Sequence, residues 1–193
     1  MKTEKFKNLY FFYPKSNIKA GDGIEGGEFP FYTSSERLTK TINTSEFNTR
    51  ALIFGTGGKA SIHFVEGRFS VSTDCLVASS SQEHFNIKFV YYYLFGNIHL
   101  LERGFKGAGL KHISKKHIEN LDIPILPLET QNKIVGVLDK ANSIIRKREE
   151  SIIILEDLLR AIFLFMFGDP RVNPHDFPIR KLIEFYIDKK NGT

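Results

Sequence analysis

The chain has 193 residues with a net charge of +5, 27 Lys and Arg standing against 22 Asp and Glu, so it tolerates an acidic partner without demanding one. A single cysteine, Cys75, excludes an internal disulfide and leaves no cysteine cluster for zinc, which fits a reducing cytosol. No run approaches the length of an apolar membrane span, and the opening MKTEKFKN lacks the apolar core of a signal peptide, so a soluble cytoplasmic protein with no membrane role is expected.

Taken in order, the aromatic run Leu9–Tyr13 before Pro14 predicts a first strand, and Gly21-Asp22-Gly23 with Gly26-Gly27 a loop. Phe29-Pro30-Phe31-Tyr32-Thr33-Ser34-Ser35 reads as a short extended piece ending in hydroxyls. Short apolar runs at Leu52–Phe54, Ser61–Val65, Arg68–Ser72 and Cys75–Ala78 then predict four strands, divided by glycine turns at Gly55–Lys59 and Glu66-Gly67. From Ile87 to Leu101, Phe89, Tyr92, Tyr93 and Leu100 fall at helical spacing, which predicts one helix with Gly96 as its weak point. Arg103–His117 is glycine-broken and basic, hence a loop, and Ile118–Leu126 reads as a last strand. Residues 1–126 are therefore expected to form an α+β domain of mostly antiparallel strands with one or two helices.

The longest apolar period follows, over residues 127–168. With Leu138, Ile145, Ile152, Leu159 and Met166 at heptad position a, Ile134, Ala141, Arg148, Leu155 and Ile162 fall at d, a coiled-coil seam interrupted by one arginine. Pro124 and Pro127 fix the start near Pro127 or Leu128, and Gly168-Asp169-Pro170 supplies a glycine stop followed by proline. At about 1.5 Å per residue such a helix spans roughly 55 to 60 Å, so it is expected to project from its domain or to pack against another long helix. Residues 169–193 remain as a tail. Leu182, Phe185 and Tyr186 can be laid over Leu9, Phe12 and Tyr13, which would make the tail the start of a second domain cut off at Thr193, unless the match is chance among aromatic-rich text.

No catalytic constellation has convincing spacing. The Gly55–Ser61 stretch has Ile53 where a phosphate-binding P-loop needs glycine and Ala60 where it needs a hydroxyl. Asn173-Pro174-His175-Asp176 lacks the second proline and the aromatic of an adenine-methylating motif. His63, His84, His99, His112, His117 and His175 include no helical i, i+4 pair for a metal, so neither catalytic nor metal-binding residues are expected. What the chain offers is donors on loops. Lys106, Lys111 and His112, with Lys115, Lys116 and His117, cluster around Gly104, Gly107 and Gly109, where backbone can approach a polyanion while lysine supplies charge. Gly57 and Lys59, and Thr33, Ser34 and Ser35 with Arg37, give two further polar loops able to reach bases or phosphates. Solvated loops bearing lysine for solubility would read the same way. A coiled-coil interaction module with no DNA role is the alternative function.

The run Ile123-Pro124-Ile125-Leu126-Pro127-Leu128-Glu129-Thr130-Gln131-Asn132-Lys133-Ile134-Val135, the long helix and the exit Phe167-Gly168-Asp169-Pro170 with Asn173-Pro174 resemble the specificity (S) subunits of type I restriction-modification systems. So do the Phe29–Ser35 stretch and the Gly55–Gly58 loop with Ser72-Thr73-Asp74. The resemblance covers nearly the whole chain. It implies a target recognition domain over 1–126, a spacer and dimerisation helix over 127–168, and a truncated second domain or tail over 169–193, in a half-length form of subunits that usually carry two domains and two long antiparallel helices. It further implies a non-catalytic reader of one half of a split double-stranded DNA target. Adenine methylation with S-adenosylmethionine would belong to partner methyltransferase (M) subunits and ATP-driven cleavage to the R subunit, leaving no cofactor on this chain. Two copies would pair through Ile134, Leu138, Ile145, Arg148, Ile152, Leu155, Leu159 and Ile162, with Arg148 setting the register.

Overall fold

Four consecutive residues, Ala51-Leu52-Ile53-Phe54, are all at most 1% exposed, so the strand that carries them is covered on both faces. Successive strand side chains point to opposite faces, and the core divides accordingly. Leu52 and Phe54 pack with Phe6, Ile62, Leu94, Leu101, Ile118, Ile123 and Val135, whereas Ala51 and Ile53 pack with Tyr32, Val65, Phe69, Val71, Cys75 and Val77. This is the centre of a computed structural model that describes residues 2–80, 82 and 85–185. Contacts divide the chain into two compact units, Met1–Lys140 and Ala141–Thr193.

The elements run β1 (Thr3–Lys5), α1 (Phe6–Leu9), β2 (Phe11–Phe12), β3 (Phe29–Tyr32), β4 (Lys40–Ile42), β5 (Phe47–Gly55), β6 (Ser61–Val71), β7 (Cys75–Ser79), α2 (Ile87–Gly96), α3 (His99–Glu102), β8 (Phe105–Lys106), β9 (His112–Ile113), α4 (Lys115–Glu119), β10 (Asp122–Pro124) and α5 (Leu128–Phe167). Six strands form one sheet in the order β2-β7-β5-β6-β3-β4. Only the β3–β6 pair in it is parallel. Two small antiparallel pairs, β1–β10 and β8–β9, stand apart from it. The α+β class with mostly antiparallel strands and a long helix is as the sequence predicts.

Several local expectations are corrected. The strand predicted at Leu9–Tyr13 gives way to a helical turn and the two-residue β2, because the turn brings Phe6 and Tyr10, four residues apart, into a stack at 4.4 Å in the core. The predicted turn at Glu66-Gly67 does not form. Residues 61–71 make one strand whose pairing with β5 runs unbroken from Phe47↔Phe69 to Gly55↔Ser61, and Gly67 absorbs the local distortion at φ +102°. The helix predicted over Ile87–Leu101 divides after Gly96 into α2 and α3, with Asn97 as the C-cap of α2. Lys115, Lys116 and His117 lie in α4 and not in a loop, because the Ser114 side chain caps that helix by accepting from the His117 N–H at 3.2 Å; the predicted strand from Ile118 shrinks to β10. Tyr186, His84 and the residues to Thr193 lie outside the described residues.

The first turns of α5 belong to the first unit and are held by polar side chains. Gln131 is 0% exposed; its Oε1 accepts from the Asn86 N–H at 2.8 Å and its Nε2 donates to the Leu126 carbonyl at 2.8 Å. Asn86 caps α2 by accepting from Lys88 and Phe89 N–H groups and donates to Asn132 Oδ1 at 2.8 Å. Two turns further, Asp139 accepts from Lys88 Nζ at 2.8 Å and from the Tyr92 hydroxyl at 2.5 Å. Burial raises the Asp139 pKa, but those bonds from Lys88 and Tyr92 outweigh it and hold the carboxyl below its ordinary value. Ile134 packs partly against the same core. The proposed seam therefore begins with a residue the domain already uses.

In the second unit, α5 ends where glycine predicts. Gly168 adopts φ +70° and donates its N–H to Leu164 O at 2.8 Å, and a Cβ there would sit 2.2 Å from Pro174 Cγ. Asn173, itself at φ +47°, clamps Phe177 from both sides: Nδ2 donates to its carbonyl at 2.9 Å and Oδ1 accepts from its N–H at 3.0 Å. Asp169 and Arg171 form a two-point ion pair with a shortest contact of 2.7 Å.

Replacing Gln131 by Leu strands a buried donor and a buried acceptor, and the expected loss is about 2–4 kcal/mol in urea unfolding. Asp139→Asn is expected to cost about 1 kcal/mol, because the carboxylate remains 39% exposed and water replaces part of the interaction. With its native pKa lowered, the Asp139 contribution is complete above the ordinary carboxylate value and disappears as pH falls from there through the native value. Unfolding of wild type and Asp139→Asn as a function of pH measures this directly, the two curves converging in acid.

Candidate nucleic-acid interface

β3 finishes beside the end of β6, Tyr32 pairing with Val71, and β5 finishes where β6 and β7 begin, Gly55 pairing with Ser61 and Cys75. Hydrogen bonds draw the loops 33–37, 55–60 and 72–74 together at one end of the domain. The hydrogen bonds between them are specific. Ser34 Oγ donates to Asp74 O at 2.5 Å and accepts from Thr56 N at 3.1 Å and Gly57 N at 3.3 Å, which uses the one donor and both acceptor positions of a hydroxyl. Asp74 O also receives the Thr56 N–H at 2.8 Å and the Thr56 hydroxyl at 2.9 Å. Glycine at 55 permits this closeness: a Cβ there would lie 2.2 Å from Ser61 Oγ and 2.9 Å from the Ser34 Cα.

The β8–β9 hairpin adds the basic loop to the same end. Gly58 N–H donates to Lys111 O at 3.1 Å, Ile113 N–H to Thr56 O at 3.0 Å, and Gly57 pairs across a β-bridge with His112. The His112 ring lies against Gly57, where a Cβ would meet it at 3.3 Å. All nine loop residues predicted for DNA contact are thus gathered at one end of the fold. Their roles differ. Arg37, Lys59, Lys106, Lys111 and His112 are exposed, with Lys59 in a loose 3.9 Å contact with Glu36. Thr33 is half-buried, Ser34 is committed to holding the loops together, and Ser35 Oγ accepts from the Arg37 N–H at 3.3 Å. Gly57 acts through its missing side chain.

His63, which sequence reasoning left among scattered histidines, fastens the 33–37 loop: its Nε2–H donates to Ser35 O at 2.8 Å, and its ring lies 5.2 Å from that of Tyr32. Burial pushes its pKa down, opposed by the Ser35 hydrogen bond. Beside the hairpin, Lys106, His112, Ser114, Lys116, His117, Asn120 and Gly104 line a cleft of about 320 Å³. His117 Nε2–H donates to Leu100 O at 2.8 Å, and Gly104 makes room for the ring, since a Cβ there would fall 2.4 Å from it. A larger cleft of about 730 Å³ next to α5 has its charges spent on each other, in the Arg50–Glu66 and Lys88–Asp139 pairs at 2.8 and 2.7 Å. Among the described residues no group of three or more His, Cys, Asp or Glu could hold a metal ion, and no helix is long and apolar enough to cross a membrane.

On α5, the predicted seam residues Leu138, Ile145, Ile152, Leu155, Leu159 and Ile162 are 36–68% exposed, and Arg148 is exposed between them. That is an uncovered apolar row on a single chain.

Residues 5–154 match the family described as type I restriction modification DNA specificity domain. Over 122 residues, 63% of this chain, the sequence is 25% identical to the type I restriction enzyme EcoDI specificity subunit of Escherichia coli. The fold is similar to that of the type I restriction-modification S subunit of M. genitalium, with a TM-score of 0.66 at 15% identity over 83% of this chain, and to the HsdS subunit of Thermoanaerobacter tengcongensis, with 0.52 at 15% over 78%. A third structure, described as the basis of complex assembly and conformational transition of the type I R-M system, gives 0.57 at 16% identity over 83%. The chain spans 27% of the length of the E. coli relative and 42%, 39% and 43% of the three solved chains, in that order.

The His63 anchor makes the 33–37 loop sensitive to acid. Its stabilisation is complete above the ordinary imidazole pKa and is lost as pH falls from there to the lower native value, because the unfolded chain takes up the proton first. Hydrogen exchange of the 33–37 and 56–58 amides is expected to accelerate over that range in wild type. In His63→Gln it is expected to be insensitive to pH beyond the intrinsic chemistry.

Proposed function

Since the chain belongs to the type I restriction modification DNA specificity family, we propose that it is a non-catalytic DNA reader whose gathered loops recognise one half of a split double-stranded target. The observation that carries this reading is the convergence of Arg37, Lys59, Lys106, Lys111 and His112 at one end of the sheet, on loops cross-linked through Ser34, Thr56 and Gly58. Exposed lysines on glycine-rich backbone neutralise phosphates, and a preset loop geometry lets neighbouring side chains reach base edges in the major groove.

The exposed row on α5 supports pairing of two copies through Leu138, Ile145, Ile152, Leu155, Leu159 and Ile162. Two antiparallel copies place two identical readers about a two-fold axis, which calls for a palindromic split target. Arg148, polar in this row, fixes the register at a cost in stability. Methyltransferase subunits dock on the pair and an R subunit joins through them. S-adenosylmethionine and ATP act on those partners, and this chain carries no cofactor.

Adenine-methylation mapping in cells expressing this chain with and without a cognate methyltransferase subunit tests the reading. A new split palindromic motif requiring both proteins is the expected result; no motif and no subunit binding would favour an interaction module without a DNA role. Lys106→Ala and Lys111→Ala are each expected to reduce the salt dependence of DNA binding by about one counterion. Leu155→Asp, which places a charge at the centre of the row, is expected to convert the paired species to single copies in sedimentation.

A further inference from the structure

Leu110 stands at the tip of the β8–β9 hairpin, 69% exposed, in the run Lys106-Gly107-Ala108-Gly109-Leu110-Lys111. It is mounted firmly. Gly107, at φ +145°, turns the chain so tightly that a Cβ on it would come within 2.9 Å of the Leu110 carbonyl. The Gly58–Lys111 and Thr56–Ile113 hydrogen bonds fasten the hairpin to the sheet. A Leu110 methyl, Cδ2, lies 4.0 Å from where a Gly57 side chain would begin, so the leucine leans over the glycine loop among the loop cations. Lys106, Lys111, Lys59 and Arg37 make this end attractive to a polyanion, yet a leucine here gains nothing from phosphate. An apolar side chain held out among cations fits the one apolar group that the floor of the DNA major groove presents, the 5-methyl of thymine.

We propose that Leu110 is a specificity-determining residue that packs on a thymine 5-methyl group in the half-site, while Lys106 and Lys111 on either side of it hold flanking phosphates. The assignment rests on the DNA-reading role above and narrows it to one base feature. Glycines at 107 and 109 keep the hairpin slim enough to enter the groove, and Gly57 lets the His112 ring and the Leu110 methyl pack close to the glycine loop.

Uracil differs from thymine only by lacking that methyl. The full chain in complex with its methyltransferase subunit would be titrated, at fixed salt, with duplexes carrying the mapped motif in which each thymine in turn is replaced by uracil. At one position uracil is expected to weaken wild-type binding by about fourfold, the equivalent of one buried methyl. Leu110→Ala is expected to bind the thymine and uracil duplexes equally at that position and to retain the salt dependence of wild type, since the side chain is exposed and carries no charge. Uracil tolerated at every position, or a uracil penalty undiminished in Leu110→Ala, would overturn the assignment while salt-dependent binding of the motif keeps the DNA reader intact. If the wild-type complex holds no duplex, both fall together. A wedge inserted between bases would weaken Leu110→Ala on both duplexes far beyond the fourfold that uracil costs the wild type, which also overturns it.

Discussion

A buried amide at Gln131 is the constraint on which the domain's arrangement depends. With no exposure to water, its carbonyl and amino groups must find partners inside the protein, and they find two backbone groups separated by a long stretch of chain: the amide at the start of α2 and the carbonyl just before α5. The same Asn86 that gives Gln131 its donor caps α2 with its side chain, so the direction of α2 and the start of α5 are set by one small network. Apolar packing of Val135 and Ile134 supplies area, but it is not directional; the amide supplies the register. Asp139, one helical repeat further on, adds a charged tie from the same face to Lys88 and Tyr92.

At the loop end of the sheet the same logic works through backbone. Ser34, Thr56, Asp74, Gly58 and Lys111 exchange hydrogen bonds among four segments distant in sequence, so the loops are ordered before any partner arrives. Loops that have already lost their entropy on folding retain more of any contact energy for discrimination between partners. The cost is that hydroxyls which look available for recognition are used up internally, as Ser34 is.

Much of this was legible from residue order, and the exceptions have physical causes. The continuous apolar run of β5, the proline and glycine that bound α5, and the clustering of basic residues among glycines over 103–117 follow from rules acting over a few residues, although that segment read as a loop and pairs as the β8–β9 hairpin. Gly168 performs the stop its position predicts because φ +70° and the nearby Pro174 leave no room for a side chain. What escaped depends on distant contacts. Phe6 and Tyr10 stack in a helical turn where alternation read a strand, because burial against Phe54 and Phe85 outweighs the local pattern. Gly67 read as a turn because the freedom that permits a turn also permits a strand to continue through a distorted residue. His63 stood among six histidines without metal-ligand spacing, and only folding shows the carbonyl it holds.

The pairing of β1 with β10 has a consequence for how such a domain can change over time. Thr3 lies opposite Pro124 and Lys5 opposite Asp122, so the chain enters the domain on one strand and leaves it on the neighbouring one, immediately before the long helix. Everything between those strands, including the whole loop end of the sheet, is a closed excursion from a shared doorway. A different excursion grafted through the same two strands would meet the helix at the same point, and in the same direction if it also supplied partners for Gln131, Asn132 and Asp139. Such a module can therefore be exchanged as one piece, provided that the new one fits both the doorway and the face of α5 that Asn86, Lys88 and Tyr92 hold.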